Sequence, residues 1–465
     1  MQESGLPAQK VSHNVQENKM GVMPLNRLLI GMAGPMIVSQ LLLALYNIVD
    51  SVFVARLCED ALTAVSLAYP IQVLILAIGV GTGVGVNAML SRCLGAKDRQ
   101  GADSAARNGI FLAACSYVVF LLVGLFFSRG FYTVQTDNPV IVGYGYDYLS
   151  VICIASFGTF GQMIYERLLQ STGKTGLSMV TQGVGAIVNI ILDPILIFGL
   201  LGCPRMEVRG AALATVIGQC VSAVLAVYFC YRKNPEVDCR MRGFRPDGRT
   251  LGRICRVGVP AIFMQAISSI MNFGMNQVLL AFTSTATAVF GIYFKAQAII
   301  FQPVFGITNA MAPIVAYNYG AGKRRRIYGV MKLAWLYAAV LMLIGTVLFE
   351  TAPGFILSLF SASESMLAIG IPALRIIGAH FVPAAFCIVT ISTISALGKS
   401  VYSLIISFCR QLLVLLPAGY LLGRIGGLHA VWWSYIVAEV ASVITAAICL
   451  RRVNRTLICT IPDRS

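Results

Sequence analysis

Twelve stretches of about 20 or more mostly apolar residues follow one another along the chain, near positions 29–55, 61–89, 109–128, 143–169, 177–201, 210–231, 254–282, 286–317, 329–350, 366–397, 401–423 and 430–450. A helix needs about 20 such residues to cross the hydrocarbon core of a bilayer, so each run reads as one span. The expected fold is therefore an all-α polytopic membrane protein. Composition supports this, with 57% hydrophobic and 12% charged residues against about 25% charged in soluble domains.

The twelve runs fall into two sixes. The most polar stretch, positions 232–256, contains Asn234-Pro235, Arg245-Pro246 and Asp247-Gly248 and reads as a linker. Pro35 and Pro260, Gly95-Ala96 and Gly320-Ala321, and Gly173-Lys174-Thr175 and Gly398-Lys399-Ser400 each stand 225 positions apart. Six spans is an even number, so the two halves enter the membrane in the same orientation, as parallel repeats. The expectation is twelve transmembrane helices in two pseudo-symmetric six-helix bundles around a cleft, an architecture suited to alternating access. The domain boundaries are expected at 1–28 for a cytoplasmic tail, 29–231 for the first bundle, 232–253 for a cytoplasmic linker, 254–450 for the second bundle and 451–465 for a cytoplasmic tail.

A net charge of +16 raises the question of nucleic acid, but its placement answers it. Of 35 Lys and Arg, 26 fall in the tails and loops on one side of the twelve runs, five on the other side and four within runs. That asymmetry orients a multi-pass protein with its basic side in the cytoplasm, where basic loops meet anionic headgroups. Both termini are expected there, in the inner (plasma) membrane, with the lipid bilayer as partner, a monomeric state and no nucleic acid. Thirteen cysteines without a Cys-x-x-Cys pair read as packing residues and free thiols. The tail lacks the apolar core and cleavage site of a signal peptide, so the first run is expected to direct insertion. Residues 1–19 are expected to be disordered, with Met20 as an alternative start.

Two carboxylates in the runs of the first half stand out, Asp50 in Tyr46-Asn47-Ile48-Val49-Asp50 and Asp193 in Asn189-Ile190-Ile191-Leu192-Asp193-Pro194. An acid inside a span costs at least about 2.5–3.5 kcal/mol and marks function by default. The equivalents 225 positions on are Met275 and the Leu416-Pro417 region, so the acids belong to one half only. Both lie toward the outer end of helices running outward, and they are expected at a shared depth. Burial and a neighbouring like charge favour the protonated form of a carboxylate, so such a pair suits loading by a proton gradient. Tyr46 and Asn189 stand four residues before Asp50 and Asp193, on the same helix faces. Pro194 frees a backbone carbonyl one turn earlier. The alternative for Asp50 is a place in the interface facing water.

On the fourth run, Tyr148, Gln162 and Glu166 are candidate substrate-binding residues. Tyr148 and Glu166 are five turns apart, so one straight helix would place them on one face, about 27 Å from each other. Glu166 beside Arg167 reads equally as a structural ion pair. Lys295, Arg375, His380 and Arg410 in the second half are weaker signals, since a lone embedded cation commonly snorkels or bonds a carbonyl. Glu439 is expected to pack within the twelfth span. Some of the aromatic residues offer faces to an organic cation.

The drive is expected to be an ion gradient. Gly173-Lys174-Thr175 and Gly398-Lys399-Ser400 lack the earlier glycine of a Walker A loop, with Leu168 and Thr393 in its place, which argues against ATP. Gly79, Gly81, Gly83 and Gly85 have the wrong spacing for a dinucleotide loop and read as helix contacts. No clustered motif for an intramembrane enzyme is present.

The segments Asn47 to Val54, Ala61 to Ser66, Ser91 to Ala96, Leu169 to Gly173, Asn189 to Pro194, Asn318 to Gly322 and Gly427 to Trp432 appear in an order that resembles the MATE (multidrug and toxic compound extrusion) transporters over about residues 20–450. The resemblance implies two six-helix bundles and export of small organic cations in exchange for H+ or Na+, with no cofactor beyond the gradient. In the DinF-like branch, acids in helices 1 and 5 with nearby Tyr and Asn residues carry coupling. Those positions match Asp50, Asp193, Asn189, Tyr46 and, by spacing, Tyr148, and Na+ at Asp50 and Asp193 is the one metal alternative. The NorM-like branch uses acids in helices 7 and 10, and here the stretches 265–268 and 380–386 hold none. A lipid-linked saccharide flippase is the alternative transporter reading.

Overall fold

The computed structural model describes residues 18–360 and 362–461, and no strand occurs among them. The first half contains α1 (Leu25–Ala55), α2 (Glu59–Gly95), α3 (Arg99–Phe126), α4 (Pro139–Ile154 and Phe157–Ser171), α5 (Thr175–Phe198) and α6 (Glu207–Lys233). The second contains α7 (Gly248–Leu280), α8 (Ser284–Gly320), α9 (Arg324–Thr351), α10 (Glu364–Gly378 and Phe381–Ala396), α11 (Ser400–Val431) and α12 (Ser434–Val453). Every apolar run maps to one of these spans. The polar residues that stop the runs also start the helices: Asp98, Asn138 and Asp247 accept hydrogen bonds from the free backbone N–H groups of the following turns.

The repeat extends to helix ends. Glu59 and Gly95, which bound α2, recur 225 positions later as Ser284 and Gly320 of α8, and Arg99 and Phe126 of α3 recur as Arg324 and Thr351 of α9. The breaks recur too, since α4 bends by 43° and α10 by 51° at matching places. In α10 the His380 Nδ1 lies 2.5 Å from the Ile377 carbonyl at the break. The bend in α4 falls between Tyr148 and Glu166, so these residues do not share one straight helix face, contrary to their spacing. A further irregularity, a π-helical stretch at Cys409–Leu415, interrupts α11.

Close contacts between the halves gather at the end with the basic loops. A Cβ built on Gly95 would stand 1.9 Å from the Tyr317 carbonyl oxygen, and one on Gly320 would stand 2.0 Å from that of Arg92. Only glycine allows the ends of α2 and α8 to meet this closely. Farther along α2, Gly81 faces Gly258 of α7, while Gly79 and Gly83 face Met163 and Arg167 of α4, so these glycines serve two packing faces. Arg167 also donates across the seam to Asn309 Oδ1 at 3.4 Å, and the Arg92 guanidinium lies over the Tyr319 ring at 4.7 Å.

The first helix of each half is shared. Leu28, Leu29, Met32 and Met36 of α1 are buried in the core of the second half, whereas Val54 belongs to that of the first. Ile254 of α7 is buried in the first-half core, and Met271 and Met275 in the second. The start of α1 is anchored as well. Asn18 Nδ2 donates to the Thr172 carbonyl and to Glu236, while Asn318, Lys323 and Arg326 donate to the carbonyls of Met20, Gly21 and Met23. Residues 18 and 19 are therefore placed, where the sequence suggested disorder to position 19; residues 1–17 lie outside the described residues. Between the halves, Asp238 takes an Arg107 N–H at 2.6 Å and the Arg240 backbone N–H at 3.0 Å. The Arg240 N–H, and then Arg107, hold its carboxyl below the usual carboxylate range.

Candidate functional site

The helix that carries Asp193 packs against α1 and α6, and the side chain is fully buried on that interface. Asn189, one turn earlier, donates to Asp193 Oδ1 at 3.4 Å and lies 3.3 Å from Thr215 Oγ1 on α6. The other oxygen of Asp193, Oδ2, has no hydrogen-bond partner, and neither does Oδ1 of the half-buried Asp50. The two carboxylates lie within electrostatic range of each other. No basic side chain is paired with either acid in the described ion pairs.

Tyr46 and Asn189 line one cavity of about 40 Å3, together with Gln162, Gln182, Thr215 and Gln219. Gln162 also donates to Glu166 Oε1 at 3.1 Å, and Thr181 donates to the same oxygen at 3.0 Å. Glu166 is buried, and the neighbouring Arg167 turns away from it to Gln170 and Asn309. Of the two readings of Glu166, the ion pair with Arg167 is not formed: neutral donors bond Glu166, and Arg167 makes a contact across the seam. Tyr148 stands apart from this cavity. Its hydroxyl accepts from Gln72 Nε2 at 2.6 Å, and it lies in electrostatic range of Asp50 and Tyr46.

The structure thus gathers Asp50, Asp193, Asn189, Tyr46 and Tyr148 around the C-terminal parts of α1 and α5, and Gln162, which lines the cavity with Tyr46 and Asn189, bonds Glu166. Thr181, Gln182, Thr215, Gln219 and Gln72 were not singled out by sequence. Their signal was present as uncharged polar residues inside apolar runs, which a count of charges passes over. Among the described residues no group of three or more metal-binding side chains is found. The arrangement offers carboxylate oxygens without hydrogen-bond partners on helices that also line a small polar cavity.

Comparison with known proteins agrees with this architecture. The profile of the MatE family matches residues 35–195 and 260–421, one match in each half. The chain is 24% identical over 407 residues to a protein named FAD transporter from Shewanella oneidensis, covering 87% of this chain and 89% of that one. It is 25% identical over 406 residues to the multidrug export protein MepA of Staphylococcus haemolyticus, covering 87% and 88%. Among solved structures, the outward-facing conformation of a multidrug resistance MATE family transporter superposes with a TM-score of 0.90 at 24% identity, over 96% of this chain and 99% of that one. A MOP superfamily transporter from Pyrococcus furiosus, described as having a binding pocket of reversed polarity, superposes at 0.88 over 95% and 98%, also at 24% identity. With a family match in each of two repeated six-helix halves, the chain belongs to the MatE family and is a multi-pass membrane transporter, not an enzyme.

Proposed function

We propose that the protein is a secondary antiporter that exports amphipathic, cationic organic compounds in exchange for H+, with Na+ as the alternative ion, and that Asp50 and Asp193 carry the coupling. The observation that carries this reading is the pair of acids on α1 and α5, each with an oxygen lacking a partner and neither paired with a basic side chain among the described residues. A proton or cation satisfies those oxygens, and Asn189 with Thr215 fixes the geometry of Asp193. Tyr46 joins Asn189 on the coupling side, and Tyr148, Gln162 and Glu166 are the residues assigned to substrate, of which Gln162 lines the cavity itself.

The placement of basic loops supports cytoplasmic termini in the plasma membrane, and with that orientation the seam closes the cytoplasmic end, leaving the cleft directed outward. Exchange requires that the proton and the substrate each bind the two facing states with different affinity. The names of the relatives from Staphylococcus and Shewanella support small organic substrates. The monomer is the transporting unit in this reading, and no nucleotide is needed.

The test is ethidium transport in proteoliposomes under an imposed pH gradient, with and without Na+, for the native protein, Asp50→Asn and Asp193→Asn. Loss of proton-driven transport in both variants, independent of Na+, is the expected result. Full activity in both removes these acids from the mechanism.

A further inference from the structure

The second half holds a buried polar cluster of its own, assembled from four helices. Arg410 lies in the π-helical stretch of α11, and its Nε is 3.4 Å from Glu439 Oε2 on α12. Glu439 is 2% exposed, and its other oxygen, Oε1, is buried with no partner. The hydroxyls of Tyr293 on α8 and Tyr435 on α12 are likewise buried and unpartnered. These four side chains line one cavity of about 50 Å3, with Gln297 and Gln411. At about 10–15 Å3 per water, it holds roughly three to five waters.

The titratable groups facing Glu439 are Arg410 from α11, Tyr293 from α8, Tyr435 from its own helix, and His380 and Cys387 from α10. Cys387 Sγ accepts from Ser442 at 3.2 Å, and the His380 ring lies 5.6 Å from that of Tyr435. A structural ion pair accounts for Arg410 and one oxygen of Glu439. It leaves three buried polar atoms around the same space without partners, a costly arrangement unless something fills it. Two backbone irregularities, the π turn at Arg410 and the break at His380, adjoin this cluster, and such places let a helix change shape.

We propose that this cavity is a second proton-binding site, at which water held by Tyr293 and Tyr435 delivers a proton to Glu439 Oε1. It rests on the antiport reading and adds to it a site on α11 and α12, distinct from Asp50 and Asp193. Hydronium gives its proton to the carboxylate, leaving a carboxylic acid and a water, so the charge of the Arg410–Glu439 pair rises from zero to plus one. Arg410 then lacks its counter-ion in a low-dielectric site. The protonated cluster repels a cationic substrate and favours a shape of α11 that returns the guanidinium to water.

The test measures the ethidium ratio reached at equilibrium in proteoliposomes under imposed pH gradients, with the membrane potential clamped at zero. Each exchanged proton multiplies that ratio about tenfold per pH unit. Glu439→Gln, and the neutral pair Arg410→Gln with Glu439→Gln in case the single variant fails to fold, are expected to lower the ratio about tenfold per pH unit. A variant that transports with the native dependence on pH gradient overturns the second site and leaves Asp50 and Asp193 untouched. A native protein that builds no ratio under any pH gradient sinks the antiport reading and this inference with it.

Discussion

Replacing Gly95 by Ala strikes the seam where α2 and α8 cross. The added methyl carbon meets the Tyr317 carbonyl oxygen at 1.9 Å and the Ala321 nitrogen at 3.0 Å. Both are backbone atoms, so no side-chain rotation relieves the clash. The helices must separate by about 1.5 Å to restore ordinary contact, and a gap of even 0.5–1 Å forfeits a quarter to a half of each dispersion well it opens. Overpacking of this kind costs about 1–3 kcal/mol, which lowers the closed-to-open ratio of the seam by about 5- to 150-fold. Spin labels at Gln100 and Arg325, repeat-related positions on the same end, report the separation by pulsed electron resonance. The expected result is a shift toward longer distances in Gly95→Ala, a comparable shift in Gly320→Ala, and none in Gly130→Ala, where nothing stands within 4 Å. Identical distance distributions in all three would refute the claim that this seam is packed to backbone contact.

Thr215→Val removes a partner of the Asn189 amide beside Asp193 at a cost of about 1 kcal/mol, and should reduce pH-driven ethidium transport while leaving the protein folded by its thermal midpoint. Gly427 holds φ 68° and ψ −165°, a region reserved for glycine, so Gly427→Ala should cost about 1–3 kcal/mol and lower the midpoint of thermal unfolding in detergent. Asp238 has a folded value below its unfolded one; its contribution is complete above the unfolded value near pH 4 and is lost as pH falls through the folded value. Hydrogen-exchange protection of residues 234–247 should therefore fall on acidification in the native protein, and already be low at neutral pH in Asp238→Asn. Arg167→Gln should loosen the contact with Asn309 and raise the thiol accessibility of a single cysteine placed at the neighbouring buried position 308.

The spans were legible because an apolar run of bilayer length leaves the backbone one way to fold, and the repeat because Pro, Gly and Lys landmarks kept a single offset. Asp50 and Asp193 were legible as acids in the wrong solvent. What escaped reading depends on geometry between helices or on their irregularity. Arg410 and Glu439 were each judged alone, and no periodicity relates a residue on one helix to its partner on the next. The bend in α4 carries no proline at the break, so Tyr148 and Glu166 looked aligned when they are not. Thr215 and Gln72 are uncharged, and their importance comes only from the amide and hydroxyl they meet. Asn18 looked like part of a polar tail because its partners, Thr172 and Glu236, are remote in the chain.

The sharing of α1 between the two cores bears on how the protein is made. Leu28, Leu29, Met32 and Met36 leave the ribosome early, yet α8, which receives this part of α1 with Ile37 against Gly306, is synthesised some 270 residues later. At about 5–20 residues per second, the inner half of α1 waits roughly 15–50 s for its permanent neighbours. During that interval lipid, an insertion factor or another part of the nascent chain must cover it. A chain cut after α6 would keep every helix of the first bundle and still leave Leu28, Leu29, Met32 and Met36 of α1 without the core that buries them, so completion of the first repeat depends on the second.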